Sequence, residues 1–286
     1  MPEIVVELVD AFVDGGVGGN PAGVVADGGA ALSHAQKQAL AAQVGLSETA
    51  FVLPSDSADY KLEFFTPTRP IPHCGHATVA SFARLAQLGR VTEGEVVNET
   101  VDGPRRIRLE GSRAFLEQIP ARFASVPAAE IADSLGMTRE DLIEGTPVLA
   151  DNGNKAILVG VREVATLRRL RPDLDRIAAI TRGHDAVCYY VFALGSIVPG
   201  REATARMFGP AYGIPEEAAT GMAAGPLACW LDRGREILIE QGQFMTPPSP
   251  SLLIARPEYC DGKLAAMWVG GEARSRSEGT GTLRID

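Results

Sequence analysis

The sequence predicts an α+β protein of two similar halves, each a curled, mostly antiparallel sheet around one central helix. Three observations support this fold class. The chain has 286 residues, which exceeds the usual size of one hydrophobic core. Short Val/Ile/Leu-rich segments separated by Gly, Pro or Asp recur along it, as expected for strands of small twisted sheets. Each half also contains one helical segment that is too apolar for a surface position.

Local patterns define the elements that precede the first of these helices. The alternating segment Ile4–Phe12 predicts a strand. Ser33 and Gln36 form a capping box that starts a helix, and Gly45 provides the left-handed residue that ends it. The other predicted elements are a glycine-rich loop over 15–23, the helix body over 35–44, a turn over 46–48, and strands at Thr49–Leu53 and Lys61–Thr66.

The first central helix is predicted over His76–Leu88 (HATVASFARLAQL). Nearly every position in it is apolar or small, and Ser81, Arg84 and Gln87 form its single polar stripe. The preceding segment 66–75 contains three prolines and cannot be helix interior. A helix with so narrow a polar stripe must be buried on most sides, and we expect a sheet wrapped around it.

The second half repeats motifs of the first. The matched pairs are Pro67 with Pro210, Gly75 with Gly221, and Gly89 with Gly234, at offsets of 143, 146 and 145 residues. We therefore predict two pseudo-equivalent domains, 1–122 and 123–286, with a second central helix at about 222–233. Residues 279–286 read as a terminal strand that could pair with either domain. A ligand would be expected in the cleft between the two halves.

Composition and charge exclude several classes of protein. The 27 basic and 36 acidic side chains give a formal charge of −9 without any basic run, which argues against nucleic-acid and anionic-membrane partners. No run of 18 apolar residues is present, and the acidic N-terminal segment does not resemble a signal peptide. The four cysteines lie far apart without a CxxC motif, so we expect reduced thiols and a cytoplasmic location. From the charge balance we expect a small-molecule ligand.

Three polar residues stand at the ends of predicted elements rather than on exposed faces. Glu48 lies at a helix-to-strand turn, His76 begins the first central helix, and Glu217 precedes the second. Both helices begin in small residues, so their N-terminal N–H groups could approach an anion. The alternatives are a solvated turn position for Glu48 and a simple capping role for His76.

A metal or a phosphate cofactor is not expected. His73, Cys74 and His76 are close in sequence, but no second cluster supplies further ligands at a recognisable spacing. The loop 15–23 matches neither the GK[ST] ending nor the GxGxxG pattern of phosphate-binding loops. We therefore predict no cofactor and no metal.

Four ordered motifs resemble the phenazine-biosynthesis isomerase (PhzF-like) family. They are GNPAG at 19–23, LSETAFV at 46–52, FTP followed by CGHATVAS up to 81, and MFGPAYGIPEEAATGMAAGPLA at 207–228. The resemblance implies a diaminopimelate-epimerase-like fold and a homodimer. It also implies a cofactor-independent isomerase that moves a double bond by proton transfer on a small cyclic amino acid such as trans-2,3-dihydro-3-hydroxyanthranilate, in phenazine-like secondary metabolism.

The resemblance also implies the roles of individual residues. Glu48, His76 and Glu217 fall on the catalytic positions. The implied substrate-binding residues are Asn20, Cys74, Gly75, Ala77, Thr220, Gly221, Met222 and Ala223. Two positions depart from the family pattern, because Glu217 replaces an aspartate and Met222 replaces a serine. The extra methylene and the lost hydroxyl predict an altered substrate or a redirected activity.

Two other functions remain open from the sequence. A related epimerase reaction would use one cysteine from each half, and Cys74 occupies the appropriate first position. The matching stretch 216–222 contains no thiol, and Cys229 lies about two helical turns beyond it. A binding protein that keeps the fold without the chemistry is the other alternative, favoured by the two departures from the family pattern.

Overall fold

The structure, a computed structural model, describes residues 3–101, 103–276 and 281–284. The helices are α1 His34–Val44, α2 Gly75–Gln87, α3 Ala128–Ser134, α4 Val164–Arg169, α5 Leu174–Gly183 and α6 Gly221–Leu231. The strands are β1 Glu3–Ala11, β2 Asn20–Val25, β3 Thr49–Leu53, β4 Tyr60–Phe65, β5 Pro70–Ile71, β6 Gly94–Thr100, β7 Gly103–Glu110, β8 Arg113–Gln118, β9 Arg122–Ser125, β10 Val148–Asp151, β11 Lys155–Val161, β12 Cys188–Leu194, β13 Ala203–Gly209, β14 Ile214–Glu217, β15 Ile237–Gln241, β16 Ser251–Cys260, β17 Lys263–Ser275 and β18 Gly281–Arg284.

The chain forms two compact units whose boundaries differ from the predicted 1–122 and 123–286. The first unit comprises Met1–Glu117 with Gly270–Asp286, and the second comprises Gln118–Val269. The difference arises because β1 pairs antiparallel with the end of β17 and with β18. The C-terminal strand, which the sequence could not place, is thus part of the first unit. It was predicted over 279–286, of which residues 279, 280, 285 and 286 lie outside the described ranges.

Strand direction follows the helical connections. The strand pairs β2/β3, β4/β6, β11/β12 and β13/β15 are parallel, and a helix lies between the two strands of each pair in the sequence. Parallel neighbours require such a crossover, whereas antiparallel neighbours can be joined by a short turn. Each sheet is therefore mixed rather than uniformly antiparallel. The α2 and α6 crossovers correspond to each other, as the repeated motifs predict.

In the first unit, two helices cover opposite faces of the sheet. All five residues of β3 are buried, because α1 covers one face and α2 packs against β1, β2, β3 and β7 on the other. Helix α2 begins one residue before the predicted start and buries most of its length. Even Ser81 of its polar stripe is fully buried, and its hydroxyl donates to the Ala77 carbonyl at 2.7 Å.

The second unit has the same arrangement with different helices. Tyr189, Val191 and Ala193 of β12 face a core that includes residues of α3, α4 and α5. The alternate residue Phe192 contacts Trp230 of α6 with ring centroids 5.4 Å apart, since successive side chains of a strand point to opposite faces. Helix α6, Gly221–Leu231, lies where the sequence predicts the second central helix, at about 222–233.

None of the helices in the described ranges has the length and hydropathy that a bilayer-spanning segment requires.

Candidate active site

The turn after helix α1 places Glu48. Gly45 ends α1 in the left-handed conformation with φ of 68°, and four residues later the chain enters β3. The Glu48 carbonyl accepts a hydrogen bond from the Gly23 amide at 3.0 Å, which fixes the backbone against β2. Residue Glu48 is only 6% exposed, so the solvated-turn alternative is wrong.

The start of helix α2 brings two further groups to the Glu48 carboxylate. Cys74 is the N-cap residue and His76 the second residue of the helix. The His76 Nε2 lies 3.2 Å from the Glu48 Oε2, and the Cys74 Sγ lies 3.4 Å from the His76 Nδ1. The imidazole therefore stands between a thiol and a carboxylate. His76 is 4% exposed and Cys74 9%, so this set is almost dry.

The Glu48 carboxylate keeps one oxygen available. Its Oε2 is buried and, among the described residues, has no hydrogen bond of normal geometry, although Nε2 of His76 lies within ion-pair distance. A buried polar atom without a hydrogen bond costs about 1–3 kcal/mol, so each such atom in a native protein needs an explanation. This oxygen is suited to accept a proton from a bound molecule.

In the second unit, Glu217 is held by a separate hydrogen-bond network. It ends β14, and its Oε2 accepts a hydrogen bond from the Thr220 hydroxyl at 2.5 Å. Gln241, which is fully buried, accepts from the Thr220 amide at 3.1 Å. It also donates to the Glu217 carbonyl at 2.8 Å and to the Thr220 hydroxyl at 3.0 Å. Gln241 thus fixes the segment that leads into α6.

The first turn of α6 has an additional support. Pro226 lies inside the helix and has no N–H to bond the carbonyl of Met222. That carbonyl instead accepts from the Asn152 amide group at 3.4 Å. The Gln118 amide donates to the Gly221 carbonyl at 2.9 Å and accepts from Asn152 at 2.9 Å. These two amide side chains therefore hold the start of the helix.

Sequence reasoning missed Gln118, Asn152 and Gln241. Amide side chains that act through tertiary hydrogen bonds leave no local pattern, because their partners lie far away in the chain. One signal was available. A proline inside an apolar helical segment, such as Pro226, frees a carbonyl that another donor must satisfy.

The remaining predicted residues lie at the same helix starts, with one exception. Gly75 and Ala77 belong to the first turn of α2, and Gly221, Met222 and Ala223 to that of α6. Neither N-cap residue, Cys74 or Thr220, makes a side-chain capping hydrogen bond within the described parts of the chain. Asn20 lies at the start of β2, opposite Ala11, and is 5% exposed.

Comparison with known proteins identifies the class. The fold is that of the diaminopimelate-epimerase-like α+β class. The chain belongs to the phenazine biosynthesis-like protein (PhzC-PhzF) family, whose model matches residues 9–279. The predictions of family, fold class and isomerase activity are thereby confirmed.

Individual relatives support this assignment. The chain is 34% identical over 289 residues to trans-2,3-dihydro-3-hydroxyanthranilate isomerase of Pseudomonas chlororaphis, covering 96% of this chain and 97% of that protein. It is 37% identical over 238 residues to the uncharacterized isomerase YddE of Escherichia coli K12, covering 78% and 77%. The crystal structure of a Bacillus anthracis PhzF-family protein matches with a TM-score of 0.87, 26% identity and complete coverage of both chains. A hydroxyproline epimerase from Agrobacterium vitis shares the fold at a TM-score of 0.61 and 13% identity, covering 99% and 91%.

Proposed function

We propose that this protein is a cofactor-independent isomerase that moves a double bond by proton transfer on a small cyclic amino acid. Trans-2,3-dihydro-3-hydroxyanthranilate is the proposed example, in phenazine-like secondary metabolism. The observation that carries the proposal is the buried Glu48 carboxylate, with Oε2 3.2 Å from the His76 ring and without a hydrogen bond among the described residues. The near full-length similarity to an isomerase of that substrate supports it.

Glu48 is proposed to act as both base and acid. Its carboxylate removes a proton from an acidified ring carbon, and the electron pair of the broken C–H bond enters the conjugated system. The protonated carboxyl group then delivers a proton to another ring carbon, so the double bond moves without any change of oxidation state. General acid–base catalysis of this kind contributes about 10²–10⁴ in rate.

Other groups are proposed to orient the substrate. The first turn of α2 offers backbone N–H groups and a partial positive charge to the substrate carboxylate. His76 holds the orientation of Glu48 through the 3.2 Å contact. From the family pattern, Glu217 is assigned to the substrate amino group, with the Thr220 hydroxyl fixing one of its oxygens at 2.5 Å. A Glu217→Gln variant should mainly raise KM for the amino acid.

The decisive experiment compares two glutamate variants in heavy water. With trans-2,3-dihydro-3-hydroxyanthranilate, Glu48→Gln should lower kcat by at least about 10²-fold and abolish deuterium incorporation while the thermal unfolding temperature changes little. Glu99→Gln is the control, because Glu99 lies in the same unit and its carboxylate is held by Ser55 and Ser57. Near-normal turnover by Glu48→Gln would remove Glu48 from the mechanism.

A second function, amino-acid epimerisation, is favoured by one observation. Cys74 Sγ lies 3.4 Å from the His76 ring, where its proton could be accepted. A two-thiol mechanism also needs a reactive second thiol, yet burial raises the pKa of both Cys188 and Cys229 in the second unit. Deuterium exchange at an amino-acid α-carbon that survives Glu48→Gln but is lost in Cys74→Ala would establish this alternative.

Location and assembly complete the proposal. All four cysteines are free thiols, which agrees with a reducing compartment, and we propose the cytoplasm. From the family resemblance we propose a homodimer without nucleic-acid or membrane partners. Sedimentation of the purified chain measures the mass directly, and a monomer at micromolar concentration would contradict the dimer.

A further inference from the structure

The three buried groups of the first unit also form a set of metal-ligand atoms. One donor atom each from Glu48, Cys74 and His76 lies within 4.8 Å of the other two. A thiolate sulfur, an imidazole nitrogen and a carboxylate oxygen are the three ligand types that zinc uses in proteins. The sequence offered His73 instead of Glu48 for such a cluster, because Glu48 is remote in the chain.

The separations are similar to those in a tetrahedral zinc site, although they involve different nitrogens of His76. Zinc bond lengths of about 2.0–2.3 Å place neighbouring ligand atoms roughly 3.3–3.6 Å apart. In the structure, the carboxylate oxygen lies 3.2 Å from one ring nitrogen of His76 and the sulfur lies 3.4 Å from the other. Since a single zinc binds only one of these nitrogens, a rotation of the ring must accompany binding. Three protein ligands would leave a fourth position for water or a substrate oxygen.

A second observation points to a ligand. The Oε2 of Glu48 is buried and has no hydrogen bond within the described residues, so a cation beside it would remove an existing desolvation penalty. We propose that Glu48, Cys74 and His76 bind one zinc ion, and that this ion inhibits the isomerase rather than serving as its cofactor. The binding stands on the geometry alone, whereas the inhibition rests on the proposed function.

The chemistry of binding explains the inhibition. The S–H bond of Cys74 breaks, its proton goes to solvent, and a sulfur–zinc bond forms without any change of oxidation state. The carboxylate of Glu48 donates the same lone pair that would otherwise accept the substrate proton. A zinc-loaded protein therefore has no free base at this position. Chelation restores the carboxylate and with it the activity.

The experiment uses the full chain under metal-free, thiol-reducing conditions. Co²⁺ titration should give a near-ultraviolet thiolate-to-metal band that saturates at one ion per chain, and Zn²⁺ should displace it. Cys74→Ser should lose the band and bind zinc more than about a hundredfold more weakly, since even groups that only support metal ligands are worth 10–100-fold. Cys260→Ser is the matched control, because Cys260 is exposed and remote in sequence from the cluster; its band and affinity should equal those of the wild type.

Two further measurements cover the remaining outcomes. X-ray absorption of the zinc-loaded wild type should show one sulfur at about 2.3 Å, which needs no variant to fold. Zinc should abolish isomerase turnover and EDTA should restore it. A zinc shell without sulfur, or a cobalt band removed by Cys260→Ser, would overturn the site. Full turnover by the zinc-saturated protein would overturn the inhibition. Absence of turnover in the metal-free wild type would instead contradict the proposed function and leave the metal site standing.

Discussion

Gln241 supports the Glu217 segment, and its replacement gives the sharpest stability prediction. Gln241→Leu removes three hydrogen bonds of 2.8–3.1 Å, namely those to the Thr220 amide, the Thr220 hydroxyl and the Glu217 carbonyl. Thr220 is 4% exposed, so water cannot replace the bond to its amide. An unpaired buried group costs about 1–3 kcal/mol. Because residue Glu217 as a whole is only half-buried, we expect a total loss of about 2–4 kcal/mol.

Urea unfolding followed by circular dichroism measures this loss. The midpoint should fall while the dependence on urea concentration stays unchanged. Gln38→Leu is the control, because Gln38 donates a single hydrogen bond, to the Thr66 carbonyl at 2.8 Å, and should cost about 1 kcal/mol. Equal losses in the two variants, or a change below about 0.5 kcal/mol for Gln241→Leu, a size usual for surface substitutions, would refute the reasoning.

Three further predictions test packing, thiol reactivity and an ion pair. Gly270→Ala should lower the free energy of unfolding by about 3 kcal/mol or more, since the added Cβ would lie 2.2 Å from a backbone carbonyl oxygen. In the native protein a thiol reagent should modify the exposed Cys260 quickly and spare Cys188, whose pKa is raised by burial. Hydrogen bonds from Arg90 lower the pKa of Asp27 below its ordinary 3.8. Asp27→Asn should remove a small stabilisation of at most about 1 kcal/mol. This stabilisation should be present above pH 3.8 and disappear as the pH falls through the lower pKa of Asp27 in the folded protein.

Each of these predictions has a contradicting outcome. Gly183→Ala is the glycine control, because no atom lies within 4 Å of its added Cβ; losses of equal size at Gly183 and Gly270 would exclude the steric explanation. Simultaneous modification of Cys188 and Cys260 would show that Cys188 is accessible. A stability difference between the wild type and Asp27→Asn that persists unchanged at pH 2, measured by urea unfolding, would exclude the ion pair as its cause.

Local sequence patterns were sufficient for the elements that carry the site. The Ser33 capping box and Gly45 bound helix α1 as predicted, because caps depend on residues three or four positions apart. The proline-rich segment before Gly75 and the apolar run after it defined the buried helix α2. The repeated motifs identified α6 in the same way. The turn that contains Glu48 followed from the helix end before it.

Contacts between residues distant in sequence decided which site residues are neighbours and how the C-terminal strand pairs. Glu48 and His76 are neighbours only because the strand β3 and the helix α2 pack together, and no spacing in the sequence reports that packing. The same holds for Gln241, whose partners Glu217 and Thr220 lie more than 20 residues away. The pairing of the C-terminal strand with β1 was undetermined for the same reason, since a short apolar strand can bond to either sheet edge. The sequence by itself determined where the helices α1 and α2 lie, to within one residue, because caps, prolines and periodicity act locally. Only the tertiary structure decided which polar groups lose contact with water, because burial depends on segments far apart in the chain.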